Sequence, residues 1–142
     1  GETTTGSATA GNVGEYVTAT AAAGSVSLTT ATTANVISIS LTAGDWDVFG
    51  QINLSGNAAT TTSNVLGSIT TTSATLDGTV GRSCQIWSNG NTIFAAATYV
   101  TLPPLLTRVS LSATTTVYLV VNSSFAVSTS AASGIIRARR AR

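Results

Sequence analysis

From Gly44 to Leu54 the chain reads Gly-Asp-Trp-Asp-Val-Phe-Gly-Gln-Ile-Asn-Leu. Side chains of an extended strand alternate between its two faces, so Trp46, Val48, Gly50, Ile52 and Leu54 share one side of this segment. The same grammar, apolar residues alternating with Thr, Ser and Asn, recurs to the C-terminus. A chain built only of such strands folds as a sandwich or barrel.

Composition points the same way. Thr and Ser supply 45 of the 142 residues, and 8% are charged, about a third of the usual share. β-Branched Thr suits a pleated, half-exposed surface and disfavours helix. The Ala-rich run from Ala19 to Ala23 lacks the flanking charges and apolar spacing of an amphipathic helix. A chain of this length buries roughly two-thirds of its unfolded surface, enough for one core but not two. Few charges give limited protection against self-association, so the composition predicts an oligomer whose bare faces are covered by copies of itself. The stretch from Tyr16 to Gly44 is charge-free and long enough to span a bilayer, but its Thr, Ser and Asn argue against membrane insertion.

Residues 1–11 are mostly Gly, Thr, Ala and Ser and read as a flexible arm or linker; the domain is expected over 12–142. The Gly1 start without Met reads as a fragment of a longer protein, and no secretory leader is visible. Strands are expected near Val13–Ala19, Ser25–Thr30, Val36–Thr42, Asp45–Leu54, Asn64–Thr70, Arg82–Trp87, Thr92–Ala97, Leu106–Leu111, Thr116–Asn122, Ser124–Ser128 and Gly134–Arg140. Ile37, Ile39 and Leu41 share a face. Val117, Leu119 and Val121 share another, but Tyr118 and Val120 opposite them are also apolar, which predicts cover on both sides by a second sheet or another subunit. Ala43-Gly44 and Asn89-Gly90 are turn signals, the second placed for a hairpin, and Pro103-Pro104 breaks any strand at an edge or crossover. The sum is an all-β, antiparallel, jelly-roll-like sandwich in one domain.

The chemistry this chain lacks narrows its function. It has no His, which removes the commonest general base, the Ser-His-Asp triad and His-ligated metals together. Cys84 has no second Cys or His to work with and reads as a small, half-buried thiol. Of the five carboxylates, Asp45 and Asp47 are two apart and share the face opposite Trp46 and Val48. They read as solvated strand-start groups, with calcium binding or acid–base work as the weaker alternatives. No catalytic residue, cofactor or metal is expected.

Two groups remain as candidates. Trp87-Ser88-Asn89-Gly90-Asn91 places an aromatic and two amides at a loop, with Phe94 and Tyr99 nearby. Trp87, Asn89, Asn91 and Tyr99 suit sugar rings, whose apolar C–H patches are rimmed with hydroxyls; the alternative is that the aromatics pack in a core or oligomer interface. Four of the six Arg, Arg137, Arg139, Arg140 and Arg142, lie in the last six residues. Such a cluster can attract nucleic acid, but Ile135 and Ile136 lead straight into it. A final strand bearing Arg that pairs with acidic groups or a neighbouring subunit is the stronger reading.

Six blocks carry a resemblance: Gly11-Asn12-Val13-Gly14-Glu15-Tyr16-Val17, Ser27-Leu28-Thr29-Thr30, Asn35-Val36-Ile37-Ser38-Ile39-Ser40-Leu41-Thr42-Ala43-Gly44-Asp45-Trp46-Asp47-Val48, Arg108-Val109-Ser110-Leu111, Thr114-Thr115-Thr116-Val117-Tyr118-Leu119-Val120 and the closing Gly134-Ile135-Ile136-Arg137-Ala138-Arg139-Arg140-Ala141-Arg142. Over residues 11–142 the chain resembles the C-terminal domain of tailed-bacteriophage structural proteins of the tail fibre or receptor-binding type. That likeness implies a non-enzymatic β-sandwich on the virion, assembled as a trimer. It would join other virion proteins through its N-terminal side and contact a host cell-surface glycan or protein through its loops. A head-decoration or capsid role is the alternative, and a nucleic-acid-binding coat protein the second. The likeness supplies no catalytic residues, and the 55–104 region resembles the family least.

Overall fold

A computed structural model describes residues 8–87, 94–95, 99–103 and 105–142. Ten strands follow in order: β1 (Tyr16–Ser27), β2 (Ala34–Leu41), β3 (Gly44–Gly56), β4 (Thr61–Thr70), β5 (Ser83–Trp87), β6 (Phe94–Ala95), β7 (Tyr99–Thr101), β8 (Leu105–Leu111), β9 (Thr115–Ala126) and β10 (Ser130–Arg140). All pairings are antiparallel, in two sheets. The first runs β1-β10-β3, and the far edge of β3 takes β8 along Gly44–Gly50 and β7 along Asn53–Ser55. The second runs β2-β9-β4, and β4 takes β5 along Asn64–Ser68 and β6 at Thr61–Thr62.

Because β5 and β6 both run antiparallel to β4, they are two pieces of one edge strand, and β7 and β8 are likewise one strand along β3. Merging each pair leaves eight strands in the orders 1-8-3-6 and 2-7-4-5. The chain then crosses between sheets at every connection except the fourth, which is the winding of a jelly roll. The expected fold class is therefore present, with one local correction. Asn89-Gly90 lies outside the described residues, but the strands on either side of it run in the same direction and do not pair with each other, so they form no hairpin. The Pro103 break falls as expected, between β7 and β8 on an edge.

Two pairs of expected strands are each continuous. Val13–Ala19 and Ser25–Thr30 belong largely to β1, whose register slips between Ala21 and Val26 while the chain stays paired to β10. Thr116–Asn122 and Ser124–Ser128 merge into β9, because Ser123 continues the inward row of Val117, Leu119 and Val121 instead of ending it.

The inward row read from β3 is observed in full. Trp46, Val48, Ile52 and Leu54 are buried in the central cluster with Ile39, Leu41, Val65, Ile69, Leu119 and Ile136. Gly50 fits the row because the other sheet comes so close there: a Cβ would lie 2.6 Å from Leu119 Cδ1. The indole N–H of Trp46 donates to the Thr42 carbonyl at 3.0 Å, so the largest core side chain carries no unmet donor. Ile37 only packs against the cluster, because a register slip between Asn35 and Ile37 turns Val36 inward.

Val120 is 0% exposed yet stands outside that cluster, on the outer face of β9. Its cover comes from its own chain. Asn35 and Ser68 flank Val120 on the neighbouring strands. Asn35 Nδ2 donates to Ser73 Oγ at 2.8 Å, its Oδ1 accepts the Ala74 amide at 2.8 Å, and Ser68 Oγ accepts the Asp77 amide at 3.0 Å. The 71–82 connection therefore crosses directly over Val120. At this position the expected second layer is a folded-back loop and not another sheet or subunit.

Candidate functional site

The C-terminal arginines lie where β1 begins and β10 ends, and they divide by strand parity. Arg137 and Arg139 face outward, whereas Arg140 is 5% exposed. Its guanidinium donates to Glu15 Oε2 at 3.0 Å, to the Ala43 carbonyl at 2.8 Å and to Thr42 Oγ1, and it lies 4.3 Å from the centroid of the Trp46 ring. Gly44, with φ of 145°, is the residue that leaves room: a Cβ there would sit 1.9 Å from Arg140 Nη1. Glu15 also accepts the Gly11 amide at 2.7 Å, and that bond, ahead of Arg140, holds its carboxyl below the usual range against the opposing effect of burial.

Asp45 is not the solvated carboxylate its turn position suggests. Arg108 grips it through both oxygens, with Nε on Oδ1 at 2.6 Å, while Arg142 Nε and Nη2 reach Oδ2 at 3.1 and 3.0 Å. These side chains shield it from water, and the Arg108 hydrogen bonds first, then those of Arg142, bring its pKa down to about 2. Asp47 stays exposed on the same side of the strand. With Asp45 so occupied and its neighbour two residues on, the pair forms no cation site, and no cluster of metal-ligating side chains occurs among the described residues. Cys84 is half-buried against the core, and burial pushes its thiol pKa up. It is a poor nucleophile in that setting.

The loop candidates lie at the opposite end of the sandwich. Trp87 closes β5 opposite Asn64, and Tyr99 opens β7 opposite Ser55, on the same lateral edge. They are 68% and 69% exposed, so Trp87 does not pack in the core of its own chain. Strand alternation turns Trp87 outward from one sheet and Tyr99 outward from the other. The two aromatics share an end but not a face. Asn89 and Asn91 lie outside the described residues, as does the side chain of Phe94.

Beside Tyr99 lies an open depression of about 440 Å³ that no sequence motif marks, where Ser27, Ser55, Asn57, Thr129 and Ser130 alternate with Leu28, Ala131 and glycine. Its walls are cross-braced: the Asn57 amide and Thr60 Oγ1 both donate to the Thr129 carbonyl, at 3.1 and 2.6 Å. Val127, at the neighbouring β9–β10 tip, is exposed and has φ of 75°, a strained conformation for a β-branched residue. Only the cluster of small polar residues in sequence hinted at this surface.

No family model matches the chain, and no curated protein matches it. Among solved structures, a chain from the structure of infectious bursal disease virus Gx strain is similar in fold, with a TM-score of 0.53 and 14% identity. The match covers 89% of this chain and 32% of the viral one, so the protein spans about a third of that chain's length. No helix among the described residues is long and apolar enough to cross a membrane.

Proposed function

We propose that this protein is a non-enzymatic structural module of a virus particle, displayed as a homo-oligomer with its loop end outward to attach to a host cell-surface glycan or protein. One observation carries the reading. The N-terminal turn is tied to Arg140, and Arg142 to Asp45, at one end of the jelly roll, while exposed Trp87 and Tyr99 and a braced depression occupy the other. A module joined to a particle at the tied end presents the other to its surroundings.

The fold likeness to a viral chain supports the virion setting, and the tail-fibre resemblance of residues 11–142 supports attachment. Several weak sites on one oligomer reach an avidity no single site has. The arrangement gives no support to catalysis, since Glu15, Asp45 and Asp77 are each engaged by arginine. It also weakens the nucleic-acid reading, because Arg140 and Arg142 are spent on internal partners.

The test is binding of the purified protein to glycan arrays, host cells and capsids. Cell or glycan binding reduced by Trp87→Ala or Tyr99→Ala is the expected result. Binding to capsids with none to cells or glycans would replace attachment by a head-decoration role, the second reading that the viral fold likeness favours.

A further inference from the structure

The outer face of the β1-β10-β3-β8 sheet is the least water-adapted surface described. Register sets Tyr16, Arg139, Asp47 and Arg108 side by side in one row, and Thr18, Arg137, Phe49 and Leu106 in the next. Between the rows runs an open groove of about 350 Å³ lined by Tyr16, Asp47, Phe49, Leu106, Arg137 and Arg139 with Ala138. Leu106 is 68% exposed although it sits within a strand. The Arg137 guanidinium lies 4.1 Å from the Phe49 ring centroid, which holds a long side chain flat before any partner arrives and lowers the entropy lost on docking.

Aromatic residues and Arg on one patch match the centre of a protein interface better than a solvated face, which favours Lys and Glu; Leu106 adds apolar area that water covers poorly. The size is adequate as well. β10 has 11 residues and β8 seven, and at about 3.3 Å per residue and about 4.8 Å per strand the four-strand face covers roughly 600 Å². Two such faces approach the range of about 1,200–2,000 Å² typical of stable interfaces.

Charge identifies the occupant. The face carries both signs, Asp47 among Arg108, Arg137 and Arg139. Of the other carboxylates among the described residues, Glu15 is engaged by Arg140, Asp45 by Arg108 and Arg142, and Asp77 by Arg82. Asp47, set between Arg139 and Arg108 of its own chain, is the described carboxylate that closes no ion pair, so it can also answer the arginines of another copy.

We infer that this face is where copies of the chain meet, turned toward the symmetry axis of the oligomer so that Asp47 of one copy faces Arg137 and Arg139 of the next. The inference rests on the oligomer included in the proposed function but names its surface, and it is tested separately. Sedimentation and light scattering at micromolar concentration read the mass. The wild-type protein is expected at a multiple of 14.2 kDa. Leu106→Asp should retain the circular dichroism of the fold and weaken association by about thirtyfold or more, the scale of an interface hot spot. Val80→Asp places the same charge at a 98% exposed site on the 71–82 connection and should leave the mass unchanged. Should Leu106→Asp fail to fold, Arg139→Asp, a substitution at an exposed strand position, carries the test.

A monomeric wild-type protein overturns the inference, and so does an oligomer that folded Leu106→Asp and Arg139→Asp leave intact. A monomer that still binds host cells refutes this surface and the oligomer, and leaves the attachment role standing. An oligomer lost in Leu106→Asp upholds the inference even where no receptor is bound, which refutes only the attachment role.

Discussion

Replacing Arg140 by Met should be among the most damaging single substitutions outside the apolar core. Methionine retains much of the stem but none of the donors, so the Ala43 carbonyl, Thr42 Oγ1 and Glu15 lose their partner together and the Trp46 ring loses its stacked cation. Removing one member of a buried ion pair costs about 3–5 kcal/mol. Glu15 keeps the Gly11 amide and lies at the rim, where its side chain is 12% exposed, which sets the loss at the lower end, about 3 kcal/mol. Against a total of roughly 5–15 kcal/mol this is a large fraction. Urea denaturation should show a lower midpoint at unchanged m, and the melting temperature should fall by roughly 10 °C. Two further variants test the mechanism. Glu15→Gln should cost little once Arg140 is gone, and Gly44→Ala, whose Cβ lands on the guanidinium, should cause a comparable loss that does not add to it. A loss below about 1 kcal/mol for Arg140→Met, the range of exposed pairs, would refute the view that this pair holds the two ends together.

The Asp45 clamp sets an acid limit. Its folded pKa of about 2 lies below the ordinary 3.8, so its contribution is fully present above about pH 4 and is lost as pH falls through about 2. The stability gap between wild type and Asp45→Asn should therefore narrow only below pH 4 in a urea series; narrowing at pH 5–6 would contradict the assignment. Gly50→Ala should destabilise by about 1–3 kcal/mol through overpacking against Leu119, measured in the same denaturation assay. Asn35→Ala removes both bonds that pin residues 73 and 74. It should speed amide exchange in 71–82 at a cost of about 1 kcal/mol, and unchanged exchange there would show that the loop is held otherwise.

How far the sequence foretold this structure depends on the range of the interaction. The β3 row was legible because strand periodicity is local and Trp46, Val48, Ile52 and Leu54 obey it without exception. The division of the arginines was half legible: alternation from Ile136 sets Arg137 and Arg139 outward, but that Arg140 turns inward onto Glu15 depends on a partner 125 residues away. β1 and β9 read as pairs of strands because Ala22–Gly24 and Asn122–Ser124 resemble breaks. Their pairing to β10 and β4 overrides that local weakness. The cover over Val120 could not be read at all, since Asn35 and Ser73 are joined by geometry alone. At the candidate site, Trp87 and Tyr99 stand on the edge strands β5 and β7, and their divergence to opposite faces follows from which sheet each edge strand joins.

The tying of Gly14 and Glu15 to Arg140 has a mechanical meaning. The Gly14 amide donates to the Arg140 carbonyl at 3.0 Å, and Tyr16 lies opposite Arg139 in the adjacent antiparallel strand. Tension applied between the two ends would peel β1 from β10 one rung at a time, the geometry that resists force least. Tension entering through one end and leaving at a host-bound loop would instead load the sheets along their strands. A module held at its tied end therefore withstands the pull of attachment far better than a pull that separates its own ends.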